Sequence, residues 1–233
     1  DIKLIFDKDG NIKKNYNITG LVNDVKINFL KEHKLNKTNF LFNINQKDIN
    51  LEKIQLNYND LDLYFEKILV KNNEKDFLVE GEFDNKNLTL NSKIVKQFFD
   101  TKNYEIKKIN LSSKNKFSFK LDKKFKFKDL IFKSKNKINE LILINNYELK
   151  NFFPKIQSEI NFNNHIIEIN YNNEIFDIIG NGNILLQKSN DKLNYRIKKD
   201  KKNLKFDTLI EIKKNSLLIN FLNFKNEGGN IIN

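Results

Sequence analysis

The sequence predicts a mainly β fold built from antiparallel strands, each with one apolar and one polar side. Apolar and polar residues alternate in steps of two along the chain. Phe40-Leu41-Phe42-Asn43-Ile44-Asn45, Phe117-Ser118-Phe119-Lys120-Leu121-Asp122 and Leu193-Asn194-Tyr195-Arg196-Ile197-Lys198 all follow this rule. In an extended chain successive side chains point to opposite faces, so this period gives a half-solvated sheet. Composition points the same way. Ala and Met, two of the best helix formers, are missing, while Ile, Phe, Val and Tyr suit a pleated, half-buried surface. Codons rich in A and T account for much of the Lys and Asn content, but they cannot produce the alternation, which is a matter of order.

Taken in order, the alternating runs predict strands over 3–6, 11–19, 21–29, 38–45, 49–51, 54–58, 61–70, 77–83 and 88–91. Further strands are expected over 106–111, 116–121, 126–132, 138–144, 155–162, 166–171, 175–186, 193–198, 204–212 and 217–224. Asn, Asp and Gly clusters separate them, among them Asp7-Lys8-Asp9-Gly10, Lys71-Asn72-Asn73-Glu74, Asn145-Asn146, Asn163-Asn164 and Lys188-Ser189-Asn190-Asp191. Two stretches carry helical spacing. Residues 92–101 open with Ser92 as a candidate cap and space Ile94, Val95, Phe98 and Phe99 along one side; residues 147–153 stop at Pro154, the single proline. Glycines sit between apolar residues in Ile18-Thr19-Gly20-Leu21, Val79-Glu80-Gly81-Glu82 and Ile178-Ile179-Gly180-Asn181-Gly182. Each is either a bulge or bend inside a strand or an ordinary turn.

Chemistry is hard to place on this chain. With no Cys there is no disulfide framework and no thiolate site, and the two histidines, His33 and His165, lack ligand-spaced partners and read as surface residues. No phosphate-binding loop or nucleophile elbow is present. Acidic residues such as Asp62, Glu66, Glu168 and Glu211 fall in the polar phase beside Lys, as a solvated face requires. No catalytic residue, cofactor or metal is therefore assigned. The net charge of +12 is nearly all Lys, spread along the strands, and Arg196 is the only Arg. That distribution argues against nucleic acid as a partner. No run reaches the roughly 18 apolar residues of a membrane helix. A start at Asp1 and the ending Glu227-Gly228-Gly229-Asn230-Ile231-Ile232-Asn233 lead to the expectation of one β-rich segment, 1–233, cut from a longer protein.

The apolar phase holds most of the 21 Phe. It is either the core of a closed β-sandwich with a surface, adhesion or scaffolding role, or the lining of an open trough. Residues 51–63 (Leu51-Glu52-Lys53-Ile54-Gln55-Leu56-Asn57-Tyr58-Asn59-Asp60-Leu61-Asp62-Leu63) run on through Lys67-Ile68-Leu69-Val70-Lys71 into Phe77-Leu78-Val79-Glu80-Gly81-Glu82-Phe83-Asp84-Asn85. This grammar of strand, tight turn, strand and a small glycine-bearing element resembles the repeating strands of AsmA-like proteins, the TamB-type group. The resemblance implies an elongated, curved antiparallel sheet forming an open, continuous apolar groove, with one or two short helices. It also implies a periplasmic part of an inner-membrane-anchored protein that carries phospholipid acyl chains between the inner and outer bacterial membranes. The residues expected to line the groove are Phe40, Phe42 and Ile44; Ile54, Leu56 and Tyr58; and Phe117, Phe119 and Leu121.

Overall fold

The computed structural model describes residues 2–11, 13, 16–29, 33–58, 61–98, 105–124, 126–145 and 149–228. The protein is mainly β, with 74% of residues in strands. The strands are β1 (Ile2–Lys3), β2 (Asn17–Phe29), β3 (His33–Asn45), β4 (Asp48–Tyr58), β5 (Leu61–Asn73), β6 (Asp76–Asn91), β7 (Glu105–Asp122) and β8 (Phe127–Ile144). They continue as β9 (Glu159–Asn172), β10 (Ile175–Leu185), β11 (Asn190–Lys199), β12 (Leu204–Glu211), β13 (Leu217–Ile219) and β14 (Phe224–Asn226). The first twelve form one sheet in sequence order, β1 to β12, which does not close; β13 and β14 pair separately. These twelve strands thus belong to one antiparallel sheet.

Many strands are longer than the alternation predicts. Residues 49–51 and 54–58 belong to the single strand β4, 77–83 and 88–91 to β6, and 106–111 and 116–121 to β7. The same joining makes β8 and β9. In β4, β6 and β9 the cause is a slip in the apolar phase, from a step of two to a step of three; in β7 and β8 the step of two continues through polar residues, Ser113 and Asn115 in one and Ser134 and Asn136 in the other. In β4 the step from Leu51 to Ile54 would turn Ile54, Leu56 and Tyr58 to the wrong face. Lys53 absorbs it with a left-handed backbone (φ 52°), so Leu51 stays opposite Ile68 and Ile54 opposite Phe65. Asp24, Lys37, Asn87, Asp129 and Asn164 adopt the same conformation inside β2, β3, β6, β8 and β9. Side chains satisfy the freed main-chain groups. Asn39 Oδ1 accepts the Asp24 N–H at 2.8 Å while its Nδ2 donates to the Lys37 carbonyl at 2.9 Å. Ser112 Oγ accepts the Asn87 N–H at 3.1 Å. The strands run on through these residues: β4 and β5 keep one register past Lys53, while β2 with β3 and β3 with β4 shift register near Asp24 and Lys37.

The helix α1 spans Ser92–Phe98; Phe99 and residues 100–101 of the expected helix lie outside the described residues. Its cap is Asn91 rather than Ser92, with Asn91 Oδ1 accepting the Ile94 N–H at 3.1 Å. Val95 is buried. Of the second expected helix, the 3-10 turn Leu149–Asn151 is formed, and the chain turns away before Pro154. Short loops close on acidic and amide side chains. Asp200 Oδ1 accepts the N–H groups of Lys202 and Asn203, and Asn45 Oδ1 those of Lys47 and Asp48. The Asn163-Asn164 pair, expected as a break, lies within β9, with Asn164 in the left-handed conformation.

The chain packs as two compact units, one of residues 1–85, 114–133 and 171–173, the other of 86–113, 134–170 and 174–233. In the second, Phe153, Ile160, Ile184, Leu186, Leu193 and Ile212 form the buried core. A buried polar clasp borders it: Gln187 and Ser216 exchange two hydrogen bonds, and Asn215 Nδ2 donates to Asp191 Oδ2 at 2.6 Å.

Candidate functional site

In the first unit the strand register lines apolar residues into rows. Gly20, Phe42, Leu51, Ile68 and Gly81 make one row across β2 to β6; Ile18, Ile44, Ile49, Val70 and Val79 make the next. Directly paired residues share a face, so Phe42, Ile44, Ile54, Leu56 and Tyr58 lie on one apolar side with Phe40, which pairs with Val22. Ile54 is 4% exposed; the other eight groove residues expected from the sequence are half-buried. Phe117 packs edge-on to Phe65 at 6.3 Å and stacks on Phe119 at 5.9 Å; Phe119 stacks on Phe127 at 4.3 Å. Leu56 also borders a cavity of about 380 Å³, where Leu63 and Tyr64 meet the polar side chains of Lys37, Asn39, Gln55, Asn57 and Asp62.

The glycines of the strand interiors have a spatial role. Gly20, Gly81, Gly180 and Gly182 lie within strands and do not take the left-handed conformation, so the ordinary-turn reading is set aside. A Cβ at Gly20 would collide with the Phe42 ring, one at Gly81 with Phe117, and one at Gly180 with Tyr195. An aromatic side chain from another strand fills the space each glycine leaves.

The apolar phase is interrupted, contrary to the expectation of an unbroken trough. In β7 the buried Ser113 and Asn115 fall between Leu111 and Phe117. In β8 the buried Ser134 and the half-buried Asn136 precede Ile138. Asn136 Nδ2 donates to Ser134 Oγ at 2.9 Å, and Asn115 Nδ2 to the Phe83 carbonyl at 3.1 Å, which makes these positions tolerable inside.

The second unit contains a larger opening, a cavity of about 680 Å³. Its walls are Ile106 from β7, Ile138, Leu141 and Leu143 from β8, Phe162, His165 and Ile167 from β9, Leu193, Tyr195 and Ile197 from β11, and Phe206 and Thr208 from β12. No charged side chain is among them. The volume falls within the range of about 300–1,000 Å³ common for small-molecule sites. The strand between β9 and β11 contributes Gly180 and Gly182 here. Their missing side chains make room for two polar rings: a Cβ at Gly182 would strike His165, and the His165 and Tyr195 rings stack at 5.6 Å.

His165 is a further correction to the sequence reading, which took it for a surface residue. It is 1% exposed, in the interior of β9, with neither ring nitrogen hydrogen-bonded. Loss of solvent holds its imidazole below the ordinary value and outweighs the opposing influence of the Asn183 main chain. Burial pushes the Tyr195 phenol up. Phe162 meets the imidazole edge-on at 5.7 Å. The sequence reading placed it on the surface because it follows the Asn163-Asn164 pair, expected as a turn; the three-residue step from Phe162 to His165 is the signal that could have found it. Nothing is described of the His33 side chain.

The polar sides carry cross-strand ion pairs: Lys71–Glu80, Lys116–Glu82 and Lys120–Asp129 in the first unit, Lys108–Glu140 and Lys135–Glu168 in the second. Arg196 grips Asp177 with two bonds, Nε to Oδ1 at 2.8 Å and Nη2 to Oδ2 at 2.6 Å. Among the described residues, no three His, Asp or Glu side chains gather as a metal site, and no helix is long and apolar enough to cross a membrane. The described residues thus form an antiparallel sheet that is not closed, with an apolar cavity in its second unit. Comparison with family models, curated proteins and solved structures found no match to the chain.

Proposed function

We propose that this chain is a non-catalytic β-sheet segment that shields the acyl chains of phospholipids, serving lipid movement or outer-membrane maintenance in the periplasm. The observation that carries the reading is the cavity of about 680 Å³, walled by aliphatic and aromatic side chains and free of charged ones. Removing acyl carbons from water is favourable by about 0.8 kcal/mol per CH₂, so ten carbons gain roughly 8 kcal/mol of shielding. The likeness of residues 51–85 to AsmA-like strands supports the same reading and supplies the inner-membrane anchor and envelope setting as parts of the proposal.

The test is native mass spectrometry of the chain after gentle extraction, followed by titration with a phospholipid carrying a fluorescent acyl chain. Co-purified lipid and saturable binding are expected. A lipid-free protein that also leaves the labelled phospholipid in its vesicles would overturn the reading.

A further inference from the structure

Resting on the acyl-chain reading above, one feature of the second unit's cavity narrows the ligand. A row of hydrogen-bonding side chains crosses its apolar wall. His165 stands on β9, Tyr195 on β11 and Thr208 on β12, and Tyr195 and Thr208 are direct partners in the register. Between His165 and Tyr195 runs β10, bare at Gly180 and Gly182. The row passes from the wholly buried imidazole through the half-buried phenol to the exposed Thr208. Phe206, also in the wall, is 64% exposed, so the cavity opens on the β12 side.

We infer that this cavity is a site for a single-chain fatty acid, whose carboxyl group hydrogen-bonds His165 while its hydrocarbon lies among the aliphatic wall residues. The chemistry of the wall selects this class. A buried imidazole with no partner on either nitrogen is costly, and a ligand that supplies one removes the cost. At the one nitrogen a ligand reaches, a neutral imidazole either donates or accepts, and a carboxyl group can meet it in either state. A phosphodiester headgroup keeps its charge at neutral pH and needs a cation, and the cavity wall has no Lys or Arg. The imidazole Nδ1 edge abuts Gly182, so Nε2 is the nitrogen assigned to the ligand; both nitrogens are buried in the ligand-free chain, and binding therefore requires the stacked Tyr195 ring to move aside.

Proton balance makes the inference measurable. Above neutrality the free imidazole is uncharged and the free carboxyl, with an ordinary value near about 4–5, is ionised. The complex holds one proton between them, so binding takes up one proton and the affinity for a fatty acid falls about tenfold per pH unit. The titratable group facing His165 is the Tyr195 phenol, which stays protonated throughout this range. The cavity-lining residues of β7, β8, β9, β11 and β12 include no charged side chain, and β10 presents glycines.

Calorimetric titration of the full 233-residue chain with oleate at pH 7, 7.75 and 8.5, below the oleate aggregation concentration, tests this. Methyl oleate and phosphatidylglycerol vesicles serve as comparison probes. Expected are an oleate affinity that drops about tenfold per pH unit and a carboxyl carbon signal of ¹³C-labelled oleate that moves on binding. His165→Phe should lose the pH slope and at least tenfold of the affinity at pH 7. Should that variant fail to fold, Thr208→Val and the ¹³C signal with the wild-type chain decide. A flat pH response with wild type, a slope retained in His165→Phe, or an unmoved ¹³C signal overturns the inference. If methyl oleate still binds in those cases, the acyl-chain reading stands; if no acyl probe binds, both fall.

Discussion

Gly180 and Gly182 set the second unit's cavity by what they lack. Ala in place of Gly inside a strand ordinarily helps, since it reduces the freedom of the unfolded chain. Here the added methyl meets the Tyr195 ring at position 180, or the His165 ring and main chain at 182. Gly180→Ala and Gly182→Ala are therefore expected to destabilise the chain by about 1–3 kcal/mol, with the larger loss at 182, where backbone cannot yield. Urea denaturation followed by circular dichroism measures both, and a stabilised variant would refute the packing account. Asn215 acts by a different route. Its amide donates to the buried Asp191 carboxylate and to the Ser189 carbonyl, and its oxygen accepts the Ser189 N–H. Asn215→Ala leaves that carboxylate without its side-chain donor, and a loss of about 2–4 kcal/mol is expected in the same assay.

At the scale of the strand, bulges decide how much of the fold the sequence discloses. Period two identified β5, β10, β11 and β12 with nearly their observed bounds, because their alternation has no long interruption. It split β4, β6 and β9, where Lys53, Asn87 and Asn164 sit at positive φ. A one-residue slip looks like a loop when only side-chain order is read; strand pairing shows that both halves belong to one ladder. The rows holding Phe42 and Ile54 were legible for the same reason that β5 was. The His165 cavity was not, since it is framed by a bulge, two empty glycine positions and residues from β7 to β12 that no local window joins. Left-handed backbone carries a steric cost for any side chain, of roughly 1–2 kcal/mol. Lys53 is exposed, so Lys53→Gly should raise the unfolding midpoint by up to about 1 kcal/mol equivalent. Lys53→Val, β-branched and intolerant of positive φ, should lower it. Equal midpoints for the two variants would mean that the bulge is not held at Lys53.

Across the whole molecule, stability against pH sums groups of opposite sign. Asp7, Asp122 and Asp200 are held below the ordinary carboxylate value of 3.8, first of all by main-chain N–H bonds from Asn11, Lys126 and Lys202 respectively. Asp177 is lowered foremost by its bond from Arg196. Their contribution is complete above 3.8 and disappears as pH falls through the lowered values. Lys71, Lys107 and Lys120 are raised by their acceptors Glu80, Glu159 and Asp129, so their share is intact below 10.5 and lost above it. His165 is lowered by desolvation, and the unfolded chain therefore binds a proton that the folded chain refuses. From 6.5 downward this favours unfolding, with a limiting slope of about 1.4 kcal/mol per pH unit. The expected profile is a plateau between about 6.5 and 10.0, where the buried Tyr195 phenol begins to favour unfolding, an early decline below 6.5 and a further acid loss below 3.8. Salt separates the causes: the ion-paired contributions lie on exposed faces and shrink at 1 M salt, where the screening length is about 3 Å, whereas desolvation of a buried imidazole is unaffected. Urea midpoints from pH 4 to 9 at low and high salt should thus retain the early decline in wild type and lose it in His165→Phe. An early decline that salt abolishes, or that His165→Phe keeps, would assign it to surface charge and remove His165 from the account.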